Sequence, residues 1–386
     1  MDFRLTEEQT ALADSIARFG ERAYDWEARR KLARSPESFD AAHWATFAEL
    51  GWFGAGLGED EGGFGGGLAE TAILFEGFGR MLLLEPVLAH GVLALQALAG
   101  LPDSDRKTEL VEQAVMGEPV LALAHDEADG WGQIEWCETR AERNGDAWRL
   151  TGAKTRIPGA QAAEQFLVTA RLSGAADDAD GLGLFLVAAD AVGLAQTPYR
   201  LVDNHRVADL VLDGVSGELL AEGADALAAL TRATHHGLVA ICAELLGAMV
   251  AALWQTRDYL LTRKQFGTTL STFQALQHRM ADMLIETELS RSMLYQALAA
   301  MAAPEAGRGA ALSAAKYAIA NSALFVCRNA IQLHGGIGMT EELMVGHFFK
   351  RAWVLASMLG NADHHMDIVT AHTPITALPE DIIALG

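Results

Sequence analysis

The sequence predicts an α+β chain that is mostly α, with an N-terminal helical domain over residues 1–119, a middle β domain over 120–225 and a C-terminal helical bundle over 226–386. Three observations carry this prediction. Apolar residues recur at helical spacing through the first hundred or so residues and again after about Asp225. Between about Val120 and Val215, short runs rich in Val, Leu, Phe and Thr alternate with turn residues, which is the pattern of strands. Finally, 51% of the 386 residues are hydrophobic and 21% charged, so the chain has the material for a large core and is not a disordered one.

Taken in order, Thr6 followed by Gln9 forms a capping box, and Leu12, Ile16 and Phe19 then make one apolar stripe. A second helix is expected from Asp40 to Leu50 and a third from about Leu68 to Gly79. Between them lies Gly62-Gly63-Phe64-Gly65-Gly66-Gly67. A dinucleotide cradle needs a strand before its glycines, whereas helical patterns flank this run on both sides, so it reads as a loop that lets helices pack closely. In the middle segment, Cys137 to Arg143, Asn144-Gly145-Asp146 and Trp148 to Thr151 form a hairpin whose Asn-Gly supplies the positive φ of a tight turn. Further strands are expected at Gln165 to Arg171, Gly183 to Val187 and Ala208 to Leu212. Asp177-Asp178-Ala179-Asp180-Gly181 lacks calcium-ligand spacing and is expected as a solvated loop without a cation partner nearby. Long helices follow at Leu227 to Arg263, Phe273 to Met301, Gly309 to Leu333 and Thr340 to Leu359, then a shorter one near Ala362 to Ala371. Thr340 is the expected N-cap of the fourth, with Glu341 and Glu342 at the positive end of its dipole.

Charge excludes several functions. Lys plus Arg is 29 against 51 Asp plus Glu, and the resulting −22 repels nucleic-acid backbones and anionic membrane surfaces. Cys137, Cys242 and Cys327 stand singly, without CxxC spacing, which fits a reducing cytoplasm. The opening residues lack the basic start and apolar core of a signal peptide, so a cytoplasmic location is expected. The apolar run from Gly237 to Trp254 contains Glu244 and continues into Arg257 and Asp258, which argues for a buried core helix and against membrane insertion. Asp363, His364 and His365 lack metal-ligand spacing, so no metal site is expected.

Three late motifs point to chemistry: Arg263-Lys264-Gln265-Phe266-Gly267, Phe273-Gln274-Ala275-Leu276-Gln277, and Gln332-Leu333-His334-Gly335-Gly336-Ile337-Gly338. Arg263 offers a planar fork suited to a pyrophosphate. Gly335 and Gly336 permit close backbone approach near a helix start, where an anion is favoured. Phe266, Phe273 and Leu276 have the shape to sandwich an adenine that Gln332 hydrogen-bonds. These motifs, with Thr151-Gly152-Ala153-Lys154, resemble the signatures of the acyl-CoA dehydrogenase superfamily over essentially the whole chain. The resemblance extends to the small subunit of pimeloyl-CoA dehydrogenase and related two-subunit enzymes through Lys264 to Gly267, His334 to Thr340 and Asn361-Ala362-Asp363-His364-His365. It implies the acyl-CoA dehydrogenase fold, FAD, an acyl-CoA substrate, a tetramer and an electron-transfer acceptor protein. The implied reaction is α,β-dehydrogenation, with FAD taking the β-hydride while a carboxylate removes the α-proton. It also implies that Arg263, Gln265, Phe266, Phe273, Leu276, Gln332, Leu333, Gly335 and Gly336 hold the ADP half of an FAD whose flavin sits mainly in a neighbouring subunit.

The chain departs from that pattern where the flavin and substrate would be met. A Thr-Glu-Pro segment ending in Gly-Ser-Asp is replaced by Ala124-His125-Asp126-Glu127-Ala128-Asp129-Gly130, which has no hydroxyl. After Lys154 come Thr155-Arg156-Ile157-Pro158, so arginine and proline fall where the family has tryptophan and threonine, and proline has neither N–H nor hydroxyl. The two places where the family carries its basic glutamate read Leu359-Gly360-Asn361 and about Gly237, neither with a carboxylate. Glu244 is the nearest substitute, seven residues further and about 10 Å along the same helix face. Its alternative reading, an ion pair with an arginine across the bundle or between subunits, is preferred; His235 and His236 beside the vacant position read as residues of a helix start. The expected function is therefore one subunit of a heteromeric acyl-CoA dehydrogenase whose partner supplies the base. A self-sufficient homo-oligomer using Glu244 and a non-catalytic scaffold subunit are the rivals.

Overall fold

The computed structural model describes residues 4–36, 38–130, 132–145, 147–303, 305 and 307–372. Contacts divide the chain into two compact units, Met1–Ala240 and Ile241–Gly386.

The first unit opens with α1 (Glu7–Arg22), α2 (Trp26–Arg34) and α3 (Ala41–Glu49). The expected capping box is present: Gln9 N donates to Thr6 Oγ1 and Thr6 N to Gln9 Oε1, both at 3.1 Å. Ile16 and Phe19 are buried, whereas Leu12 is only partly so. Asp40 caps α3 by accepting from Ala42 N at 2.8 Å. Next come α4 (Leu68–Met81), a π-wound segment Leu88–Ala94 running into α5 (Leu95–Ala99), and α6 (Asp105–Val115). Three of these helical segments were not expected from the sequence, for two reasons. α2 and the first half of α6 are too polar to show an apolar stripe, α2 burying Arg29 and Ala33 alone and α6 burying Leu110, Val111, Ala114 and Val115 only towards its end, while 88–99 is apolar on all sides and shows no period. The glycine run does serve close packing, since a Cβ on Gly66 would strike the Ala55 carbonyl oxygen.

The strands are β1 (Leu121–Ala124), β2 (Arg140–Asn144), β3 (Ala147–Pro158), β4 (Gln165–Arg171), β5 (Leu182–Ala188), β6 (Leu194–Arg200) and β7 (Arg206–Glu222). β2 and β3 form the expected hairpin, with Gly145 at φ 64°; Asp146 lies outside the described residues. Pairings β4–β2, β2–β3, β3–β7, β7–β5 and β5–β4 close a ring, while β1 adds parallel to β4 and β6 antiparallel to β7. Phe166, Val168, Phe185, Leu210 and Val215 fill its core.

One expectation here is corrected. The acidic side chains of 177–180 are exposed or nearly so, but the loop does have a cation. The fully buried Arg171 donates through Nη1 to the carbonyls of Asp178 and Asp180, both at 2.7 Å, and through Nη2 to those of Ala176 and Glu135. Five donors in a rigid fork can gather carbonyls from a loop that the spacing of acidic residues does not reveal.

α7 (Ala224–Thr262) begins in the first unit and ends in the second, which continues with α8 (Gln274–Ala302), α9 (Arg308–His334), α10 (Val345–Ser357) and α11 (Ala362–His372). By length and composition α7 and Arg308–Met339 are able to cross a membrane, yet 89% of the apolar window of α7 is buried in the fold, as a core helix requires. Thr340 does not cap α10. Its hydroxyl donates to the Ile337 carbonyl at 2.8 Å within a turn that follows the 3-10 segment Gly335–Met339, and α10 starts only at Val345. Glu341 instead binds Lys350 Nζ at 2.6 Å. The three cysteines are buried free thiols.

Candidate functional site

The late motifs meet at one end of the helices of the second unit. Where α7 ends, Arg263 N donates to Tyr259 O at 2.8 Å and the chain turns into the strand pair β8 (Lys264–Gln265) and β9 (Thr268–Thr269). The turn between them places Phe266 at φ 54° and Gly267 at φ 84°. Arg263, Gln265 and Phe266 are exposed, and Phe266 at 90% is almost bare of contacts, an unusual state for an aromatic ring. Phe273 stands edge-on to it, with centroids 6.2 Å apart and planes at 90°, so the two rings form a corner rather than a parallel sandwich. Leu276 follows in the first turn of α8, half-buried.

At the end of α9, Gln332 is exposed while the Leu333 side chain is buried in the core, which leaves only its backbone to a ligand. Gly335 leaves the helix at φ 68°, ψ −145°, a conformation that demands glycine. Added Cβ atoms at Gly335 and Gly336 would meet nothing within 4 Å, so the backbone there borders open space. An exposed guanidinium fork, uncovered aromatic rings and an open glycine turn are the donor set that an adenosine diphosphate moiety needs, and these residues fit the ADP half of FAD.

The β domain is closed where the bundle end is open. Lys154 is fully buried, and its Nζ donates to Glu127 Oε1 at 2.7 Å, Thr169 Oγ1 at 3.0 Å and His125 O at 3.3 Å. Glu127 Oε1 also accepts from Thr139 N at 3.0 Å and Thr139 Oγ1 at 2.7 Å. Burial would raise the Glu127 carboxyl, but the Lys154 charge and these hydrogen bonds outweigh it and bring it down to about 2. Burial, helped by Lys154, lowers His125 to about 4, so that ring is neutral. The sequence held a signal for this pair that charge patterning missed: Leu150 and Lys154 point inward on β3, and an inward lysine requires a buried carboxylate. Two residues on, the ladder with β7 slips between Lys154 and Ile157. Arg156 sits there at φ 55°, its N–H donating to Asp209 Oδ1 at 2.8 Å, which also accepts from Tyr199 Oη at 2.9 Å.

Glu244 is buried on α7, and Arg351 of α10 takes both its oxygens, Nε to Oε1 at 2.6 Å and Nη2 to Oε2 at 3.0 Å. The turn after α10 has Leu359 at φ 55° and Gly360 at φ 100° over the buried Lys316, which donates to the Ala356 carbonyl at 3.2 Å. His235 and His236 are half-buried on α7 in the first unit. Among the described residues, no group of three or more His, Cys, Asp or Glu is arranged to hold a metal ion.

Comparison with known proteins agrees with this architecture. The acyl-CoA dehydrogenase N-terminal domain matches residues 6–118 and the acyl-CoA dehydrogenase C-terminal domain matches 227–373. Benzylmalonyl-CoA dehydrogenase of Aromatoleum aromaticum is 30% identical over 364 residues, spanning 91% of this chain and 93% of that protein. The chain belongs to the acyl-CoA dehydrogenase family. Its members are oxidoreductases, and the family cofactor is FAD. Among solved structures, a variant of the steroid ACAD Tcur3481-Tcur3483 is similar with a TM-score of 0.84 and 31% identity, covering 98% of each chain. The ChsE4-ChsE5 complex from Mycobacterium tuberculosis is similar with a TM-score of 0.86 and 26% identity, covering 98% of this chain and 100% of that one. The order of helices, sheet and helices is that of the family fold.

Proposed function

We propose that this chain is one subunit of a heteromeric acyl-CoA dehydrogenase, similar in role to the small subunits of two-subunit enzymes, lending its bundle end to an FAD seated mainly in a partner subunit. The observation that carries this reading is the contrast between the open end at Arg263, Phe266 and Gly336 and the β domain, where Lys154 and Glu127 saturate each other. Two similar solved structures carry names of paired chains, Tcur3481-Tcur3483 and ChsE4-ChsE5, which supports a pairing here. The three-part division at 119/120 and 225/226 belongs to the same proposal, supported by the break between α6 and β1 and by the change from β7 to α7 at residue 223, the second boundary falling two residues inside α7.

Each residue then has a task. Arg263 neutralises and orients the pyrophosphate, and the open Gly335–Gly336 turn lets it approach the backbone closely, the Gly335 N–H itself being held by the Gln332 and Ile331 carbonyls. Phe266, Phe273 and Leu276 pack on the adenine, Gln332 bonds its edge, and Gln265 and the Leu333 backbone frame it. FAD, when bound, takes up the β-hydride of the acyl-CoA thioester. Removal of the α-proton falls to a carboxylate of the partner, because Glu244 is held by Arg351 and the 359–361 turn offers no acid. We place the complex in the cytoplasm as a tetramer that passes electrons to an electron-transfer acceptor protein. The steroid ACAD among its relatives makes bulky ring-bearing acyl-CoA esters the first substrates to try.

The test is co-expression with candidate partner acyl-CoA dehydrogenase chains from the same genome, followed by mass measurement and flavin absorbance. About one FAD per pair of unlike chains is expected, with the bundles joined through a large apolar interface. A chain that purifies alone as a tetramer with one FAD per subunit and full turnover with acyl-CoA defeats the proposal.

A further inference from the structure

Both halves of the open bundle end are intrinsically soft. The β8–β9 pair has two exposed or half-exposed residues on each side, too few to hold its own shape, and the glycine turn after α9 has no side chains to fix it. Yet a diphosphate is reached by both at once only if their spacing is fixed, because charge-assisted hydrogen bonds weaken steeply with distance and angle.

Two side chains join the end of α7, from which the ribbon continues, to the end of α9. Tyr259 lies in the last turn of α7, and its carbonyl is the acceptor for Arg263 N at 2.8 Å, where the ribbon starts. Its ring lies flat against the ring of His334, the last residue of α9, with centroids 4.4 Å apart and planes at 24°. Its hydroxyl donates to the His334 carbonyl at 3.3 Å, one residue before Gly335. His334 Nδ1 donates to the Ala330 carbonyl at 2.8 Å, which fixes the tautomer and the ring plane, while burial lowers its pKa and keeps the ring neutral.

We infer that Tyr259 and His334 are a positioning pair, a strut that sets the distance between the Arg263 ribbon and the Gly335–Gly336 turn and so makes one diphosphate site of them. The inference rests on the proposal that these segments hold the ADP half of FAD. A residue that only filled the core would not need a hydroxyl aimed at the carbonyl where the chain leaves the helix; the half-buried Tyr259 side chain docks the end of α7, from which the ribbon continues, onto the end of α9.

The test uses the heteromeric complex stripped of flavin. Hydrogen exchange is followed in Arg263–Thr269 and in Gly335–Thr340 before flavin is added, and FAD affinity is then titrated by fluorescence. Tyr259→Leu, which loses both the stack and the hydroxyl bond, is expected to speed exchange in both segments and to weaken FAD binding about tenfold or more, whereas Tyr259→Phe, which keeps the stacked ring and loses only the hydroxyl bond to the His334 carbonyl, falls between Tyr259→Leu and the parent, at about threefold. Should Tyr259→Leu fail to assemble, His334→Phe and His334→Gln make the same comparison from the other side of the stack. Unchanged FAD affinity in the non-aromatic variants, or faster exchange in one segment alone, overturns the strut. Arg263→Ala separates the two ideas: if it leaves FAD affinity untouched, the ADP assignment fails whatever the exchange shows.

Discussion

The β domain and the bundle end treat charge in opposite ways. In the β domain, Lys154 and Glu127 are withdrawn from water and satisfied by each other and by Thr139 and Thr169. At the bundle end, Arg263 stands in solvent beside a ring left 90% exposed and a glycine turn that borders open space. A buried pair is a finished structure whose loss is felt in folding, whereas an exposed cation with open backbone around it contributes little to folding and is available to bind. The difference teaches that charged residues in one family motif set have to be sorted by burial before they are assigned a role.

Removing Lys154 is the strongest way to break the comparison. Lys154→Met strands the Glu127 carboxylate and should lower stability by ~3–5 kcal/mol in denaturant titration. The pair also sets a pH window. The Glu127 carboxyl is lowered from 4.5 to about 2 in the fold, so its contribution is complete above about 4.5 and is lost as pH falls through about 2. Acid titration of the parent should therefore show a loss of stability that the variant lacks. If Lys154→Met melts like the parent, the β domain is not closed by this pair.

Glu244→Gln comes second. The amide keeps the shape and one hydrogen bond but leaves the buried Arg351 without its counter-charge, for an expected loss of ~2–4 kcal/mol. Flavin bleaching by substrate should persist. Abolished bleaching at parental stability would return Glu244 to the role of general base.

The smallest effect on folding is expected at Arg263. Arg263→Ala should leave the melting temperature within a degree or so while flavin retention falls by ~1.5–3 kcal/mol, roughly tenfold to a hundredfold, measured as flavin occupancy after gel filtration. A variant that unfolds as readily as it loses flavin would erase the distinction between the two regions.

How much of this was legible in the sequence depended on whether a pattern had a period. α1 showed its cap, and α3 and α9 their extents, because N-cap chemistry and hydrophobic spacing are local. α2 and the 88–99 segment showed neither, one too polar and the other too uniformly apolar. The start of α10 was misplaced because the Thr340 hydroxyl found the Ile337 carbonyl, a contact that depends on how Gly335 turns the chain. At the site, the residue types of the bundle end were readable as a motif, but that Phe266 and Phe273 meet at a right angle and that Leu333 faces inward were not. Glu244 was readable as a carboxylate needing a partner, and only the fold brings up Arg351 from 107 residues away.

The loop around Arg171 has a wider consequence. Where many proteins order a string of aspartates by recruiting a calcium ion from the medium, this chain folds the loop around a guanidinium of its own, with four carbonyls in the place of ion ligands. The positive charge at the centre of that loop is thus inherited with the polypeptide. A molecule carrying a net charge of −22 thereby sets a cation of its own beneath three aspartates that fall within four residues.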